Sequence, residues 1–170
     1  MASSQTAQHG PRPARRDPGI KAAAIALLAR DCLQWSANEQ SLAEWTRALE
    51  RHRLDDNGYE LAREMERYDY VSPDPELVEI LDRASHYLWT AHRDAVIAWA
   101  AATNWQPTYA VGDRFETRHG RGFINAINET EALYLFVPDK DAGSPSYANG
   151  GGFHITDDEL AAAKATGTPA

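Results

Sequence analysis

The sequence predicts an α+β protein: an N-terminal antiparallel bundle of about four helices, then a small C-terminal antiparallel β-barrel module. Three observations carry this. Apolar residues recur at helical spacing, with start signals, from position 17 to about 103. Pro107 and Gly112-Asp113 then end the helical pattern. From Phe115 onward, short apolar runs alternate with glycine-containing turns.

The elements follow in order. Residues 1–16, "MASSQTAQHGPRPARR", have no apolar period and predict a disordered basic tail. Asp17 and Pro18 suit a helix cap and first helical position. A helix over about 20–36 follows, with Ile20, Ala24, Leu27, Leu28 and Trp35 as core contacts. "SLAE" at 41–44 has capping-box form and opens a second helix, to about Arg53, that buries Leu42, Trp45 and Leu49. A turn at "LDDNG" leads to a third helix, where Leu61, Met65 and Tyr68 share a face. Asp74 as cap and Pro75 at the first position begin the longest helix, 75 to about 103. At 100° per residue, Leu77, Leu81, Ala84, Leu88, Ala91, Ala95, Trp99 and Ala102 fall in one apolar wedge.

Short loops between these helices predict antiparallel neighbours. The second part reads as strands from Phe115, over Phe123–Ile127, over "ALYLFVPD" and at "FHI", with Thr156 capping a final helical turn. The "GGG" at 150–152 lacks a following helix with a Lys-Ser/Thr pair, so it predicts a hinge rather than a phosphate loop. The expected division is a tail over 1–16, the bundle over 17–106, the barrel over 107–162 and a disordered tail over 163–170.

Gly112-Asp113, the turn glycines Gly120 and Gly122, and Ile124 form the pattern of a small SH3-like barrel. This stretch resembles Tudor-like and KOW-type modules, and the polymerase-binding modules of some bacterial transcription regulators. The resemblance covers the last third of the chain. It implies binding to protein segments or nucleic acid rather than chemistry.

Charge narrows the partners. The net charge is −8, while residues 1–21 hold Arg12, Arg15, Arg16 and Lys21 against Asp17, a balance of +3 that leaves −11 on the remainder. Such acidity disfavours general binding to a phosphate backbone and suits a protein partner with a basic surface. Cys32 is the only cysteine and lies in an apolar helical run, which predicts a buried small side chain and a reducing, cytoplasmic location. The apolar run before it is too short for a membrane span, and Arg30 and Asp31 stand where a cleavage site needs small residues.

No P-loop, G-x-S-x-G, H-E-x-x-H or paired-cysteine motif is present, so the reading includes no cofactor and no metal. His86 and His92, six apart on one helix, diverge by about 120°. Asp82, His86, Trp89 and Arg93 follow steps of four, three and four and so share a stripe off the core face. Trp and Arg are the residue types that dominate binding hot spots. A second candidate surface is the barrel rim: His119 and Arg121 at the first turn, Tyr147 in the long loop and His154 on the last strand.

The leading expectation is a non-enzymatic, acidic protein-binding protein. By analogy with small acidic proteins of mobile elements, it would be an inhibitor or adaptor of bacterial or phage type. One alternative is a small hydrolase or transferase using Asp82, His86 and Arg93, or the rim histidines. Another is a nucleic-acid-binding regulator using the rim and the basic tail.

Overall fold

The computed structural model describes residues 11–36, 39–69, 71–144 and 152–165. The chain is α+β and divides into two compact units, Gly10–Ala95 and Val96–Ala170. The tail calls at 1–10 and 166–170, the hinge at Gly150 and Gly151, and Tyr147 lie outside the described residues.

The first unit is helical. α1 (Pro18–Trp35) starts with Asp17 as backbone N-cap and Pro18 at its first position, as the sequence predicts. The Asp17 carboxylate accepts from the Ala14 N–H (2.8 Å), closing a turn before the helix instead of capping its end. Ile20, Ala24, Ile25, Leu28, Ala29 and Cys32 are buried, whereas Leu27 is exposed. The core stripe runs along Ile20–Ala24–Leu28–Cys32 and spreads to Ile25 and Ala29 one position on, which leaves Leu27 at the opposite edge.

α2 (Leu42–Glu50) opens with both halves of the capping box: the Glu44 N–H donates to Ser41 Oγ (3.3 Å) and the Ser41 N–H to Glu44 Oε2 (2.7 Å). The Ser41 N–H bond, and a second from the Ser41 hydroxyl to the same oxygen (2.7 Å), hold the Glu44 carboxyl below its ordinary range. Trp45 is fully buried, donates to Ser36 Oγ (3.2 Å) and meets Trp35 edge to face at 6.0 Å. Leu42, expected inside, is exposed at the first helical position.

α3 (Gly58–Asp69) buries Leu61, Ala62 and Met65. Tyr68, expected on that face, is 56% exposed, with the Arg67 guanidinium over its ring.

The helix expected over 75–103 is two helices, α4 (Pro75–Leu81) and α5 (Ala84–Thr103). Asp74 caps α4 through the Leu77 N–H (2.8 Å), as predicted. The break at Asp82-Arg83 has a local cause. Asp82 Oδ1 accepts from the Gly58 N–H (2.5 Å), and the Arg83 N–H bonds three residues back to Ile80. A Cβ on Gly58 would strike the Val78 carbonyl and the Asp82 amide, so only glycine lets α3 start this close to the end of α4. Ala84 and Leu88 are buried as expected; further on, Val96 and Ala100 are buried while Ala102 is exposed.

α5 ends at Thr103 because Asn104 takes a left-handed conformation (φ 48°) and the Trp105 N–H reaches back to the Ala100 carbonyl (3.0 Å). The second unit then forms β1 (Arg114–Thr117), β2 (Gly120–Asn128), β3 (Leu133–Pro138) and β4 (Phe153–Ile155). The six-residue α6 (Asp157–Ala162) and a two-residue β5 (Lys164–Ala165) follow. Thr156 and Glu159 form a capping box at the start of α6. The expected terminal tail thus contains a short strand, held by pairing with β1.

The strand order is β4-β3-β2-β1-β5, all antiparallel. β4 and β5 are its two edges and do not pair, so the described strands form an open sheet where the sequence predicts a barrel. One face packs Phe115, Ile124, Tyr134, Phe136 and Ile155 with Leu160 of α6. Gly122 lies in this sheet where a Cβ would strike the Val137 carbonyl and the Phe136 ring. Tyr134 is fully buried: its hydroxyl donates to Asp157 Oδ1 (2.7 Å) and accepts from the Thr108 N–H (2.8 Å). Trp105 Nε1 donates to the other Asp157 oxygen (2.7 Å). Burial first, then the bond to Asp157, raises the Tyr134 hydroxyl well above its ordinary pKa.

Candidate functional site

The sequence-predicted stripe lies on α5 within the helical unit. A straight helical stretch places residues three and four apart side by side, and the rings obey that geometry. His86 stacks near Trp89 with ring centroids 6.3 Å apart and planes 25° from parallel. The Arg93 guanidinium stands over the Trp89 ring at 5.6 Å. Trp89 is 50% exposed. An indole held between two polar neighbours on a helix has little rotamer freedom to lose on meeting a partner.

Asp82 does not join this set. Its carboxylate turns to Gly58 and caps α3, so it orients the α3–α4 junction and not the His86 ring. Among the described residues no hydrogen bond joins Asp82 to His86. Around the turn, Asp74, Glu76, Glu79 and Asp82 are exposed on and beside α4, with Arg83 the one base among them. The stripe thus begins beside an acidic segment.

The sheet rim is built differently. His119 stacks on Phe153 at 3.9 Å and 16°. Arg118 Nε donates to His119 Nε2 (3.1 Å), while its guanidinium pairs with Glu159 (2.9 Å). Arg121 pairs with Glu116 (3.5 Å) across the β1–β2 hairpin. His154 is exposed on β4 opposite Leu135. Of the predicted rim residues, His119 and Arg121 are engaged by neighbours within the sheet unit, and His154 is exposed.

No protein-family model, curated protein or solved structure matches this chain.

Spacing missed two groupings. His52, just past α2, is buried, with Nδ1 3.0 Å from Glu64 Oε2 and Nε2 2.6 Å from Asp69 Oδ2. Asp69, whose side chain is 6% exposed, also pairs with Arg51 (2.6 Å). Both ring nitrogens face carboxylates. The arrangement clamps the end of α2 to α3. The second grouping is a cleft of about 630 Å³ lined by Arg15, Arg16, Lys21, His52, Arg53, Leu54, Asp55 and Leu88. Its lining comes from three separate segments, so no single window of sequence displays it.

Cys32 is fully buried, as the sequence predicts. Burial, then the charge of Asp31, pushes its thiol up to about 12. Asp31 accepts from the Tyr87 hydroxyl (2.6 Å) and from Arg83 (3.3 Å), and that bond raises the Tyr87 pKa. Among the described residues no three His, Cys, Asp or Glu side chains group to hold a metal ion, and no helix is long and apolar enough to cross a membrane.

Proposed function

We propose that this chain is a protein-binding protein whose α4–α5 surface docks a partner with a basic patch. The observation that supports it is Trp89: a half-exposed indole kept in place by His86 and Arg93 on a rigid helix. Surface aromatics and arginines of this kind dominate binding energy where they are desolvated by a partner. The exposed Glu76 and Glu79 beside it supply the complementary charge and would steer a basic partner.

The SH3-like pattern around Gly112–Ile124 fits a role for the sheet unit as a second binding module, of the protein-segment kind. Its rim ranks below α5 because Arg118 and Arg121 already have carboxylate partners. A buried single thiol fits a reducing, cytoplasmic setting. The inhibitor or adaptor role remains part of this proposal.

Photo-crosslinking tests the surface. A benzophenone side chain placed at position 86, next to Trp89, should link one recurrent protein in the native host, whereas the same group at Arg47 on α2 should not. Recurrent linking from position 47 alone would move the interface off α5.

A further inference from the structure

We infer that the cleft lined by Arg15, Arg16, Lys21 and Arg53 is a binding site for a small ligand carrying two or more phosphate groups. Four cationic side chains face one hollow of about 630 Å³ in a chain whose net charge is −8. Among the described residues Asp55 is the only carboxylate in the lining.

Arg15, Arg16 and Arg53 form no ion pair among the described residues. Arg51 pairs with Asp69, Arg83 with Asp31, Arg114 with Asp139, Arg118 with Glu159 and Arg121 with Glu116, while Arg30, Arg47, Arg63 and Arg67 form none among the described residues; what sets Arg15, Arg16 and Arg53 apart is that they line one hollow. With acids in excess, leaving three guanidiniums unanswered around one hollow raises mutual repulsion. An anionic guest would relieve it, and guanidinium forks match phosphate oxygens in pairs.

The arginines are also placed. Arg15 and Arg16 are the central residues of the Ala14–Asp17 turn, closed by the Asp17 N–H to the Ala14 carbonyl (2.8 Å) and by Ala14 N–H to the Asp17 carboxylate (2.8 Å). His92 Nε2 donates to the Pro13 carbonyl (3.2 Å) and fixes the segment just before the turn. Lys21 Nζ donates to the Glu50 carbonyl (2.8 Å), bridging α1 to the end of α2. Arg53 follows the clamped His52. These tethers fix the backbone around the hollow, from which the exposed Arg15, Arg16 and Arg53 side chains extend.

Size and surroundings select the ligand. The volume lies in the range of small-molecule sites, roughly 300–1,000 Å³. Buried Leu54 and Leu88 give the hollow an apolar wall, suited to an uncharged ring attached to the phosphates. The acidity of the rest of the chain opposes a long polyanion such as nucleic acid. A di- or triphosphate of nucleoside type is the chemical class that meets all three conditions. This site is separate from the Trp89 surface, and its test does not depend on that reading.

Calorimetric titration of the full chain with sodium pyrophosphate at low salt tests it. One-site binding is expected, weakened at least tenfold by Arg15→Gln/Arg16→Gln and, separately, by Arg53→Gln, and unchanged by Arg47→Gln on α2. Adenosine diphosphate should bind more tightly than pyrophosphate. Absence of binding, an equal loss with Arg47→Gln, or retained affinity in both cleft variants overturns the proposal. Tighter binding to a single-stranded oligonucleotide or to phosphatidylserine vesicles than to either small phosphate also overturns it, in favour of a polyanionic surface. Thermal melts of each variant verify folding, and Arg53→Gln alone decides the matter if the double variant does not fold.

Discussion

Two aromatic groups in this protein are held in opposite ways. In the sheet unit, Trp105 and Tyr134 converge on one carboxylate, Asp157, and Tyr134 has no exposed surface. In the helical unit, Trp89 is braced by His86 and Arg93 from the sides, yet half of it faces solvent. The first group has every polar atom answered from within the chain and is explained by folding alone. The second is braced but not covered.

The comparison has measurable consequences, the largest in the sheet. Tyr134→Ala removes a fully buried ring and strands Asp157, so it should destabilise the protein by about 4 kcal/mol in denaturant unfolding. A loss close to that of a surface change would mean the Asp157 group is not a core. Next comes His52→Ala, which leaves Asp69 with Arg51 alone and should cost about 3 kcal/mol. A variant as stable as wild type would show that the clamp between α2 and α3 contributes nothing net.

The alkaline limb sharpens the contrast between buried and exposed groups. The Cys32 thiol is raised from 9.0 to about 12 by burial. Above about pH 9 the unfolded chain releases this proton while the folded chain keeps it. Stability from the neutral thiol is therefore complete below pH 9 and is lost between about 9 and 12. The slope is up to about 1.4 kcal/mol per pH unit. Cys32→Ala should flatten that part of the curve; an unchanged slope would mean Cys32 is not the group responsible. The smallest stability effect belongs to Trp89→Ala, at about 0.5 kcal/mol, because half the indole is already in water.

What could be read from the sequence is what short-range chemistry decides. The starts of α1, α2, α4 and α6 depend on Asp17-Pro18, the Ser41/Glu44 box, Asp74-Pro75 and Thr156, and each signal sits within four residues of its effect. The His86–Trp89–Arg93 stripe was legible for the same reason, since helical spacing alone brings those rings together. The break at Asp82 was not. It depends on a glycine amide 24 residues earlier, and the apolar wedge of Leu77, Leu81, Ala84 and Leu88 continues straight through it. The clamp on His52 draws on Glu64 and Asp69, 12 and 17 residues away, at no helical or strand spacing. β5 has only two residues and exists because β1 offers it an edge. The basic residues of the N-terminal segment were visible, but not that Arg53 meets Arg15 and Arg16 across a common hollow.

Under the proposed function, Trp89 is exposed for a partner. Its most direct test is paired affinity purification of wild type and Trp89→Ala from the native host, with a thermal melt of both proteins. The account expects melting temperatures within a few degrees and loss of one protein that wild type recovers at low salt and releases as salt rises. Equal recovery by the two proteins, or a large fall in melting temperature for the variant, would return Trp89 to the interior packing of the helical unit.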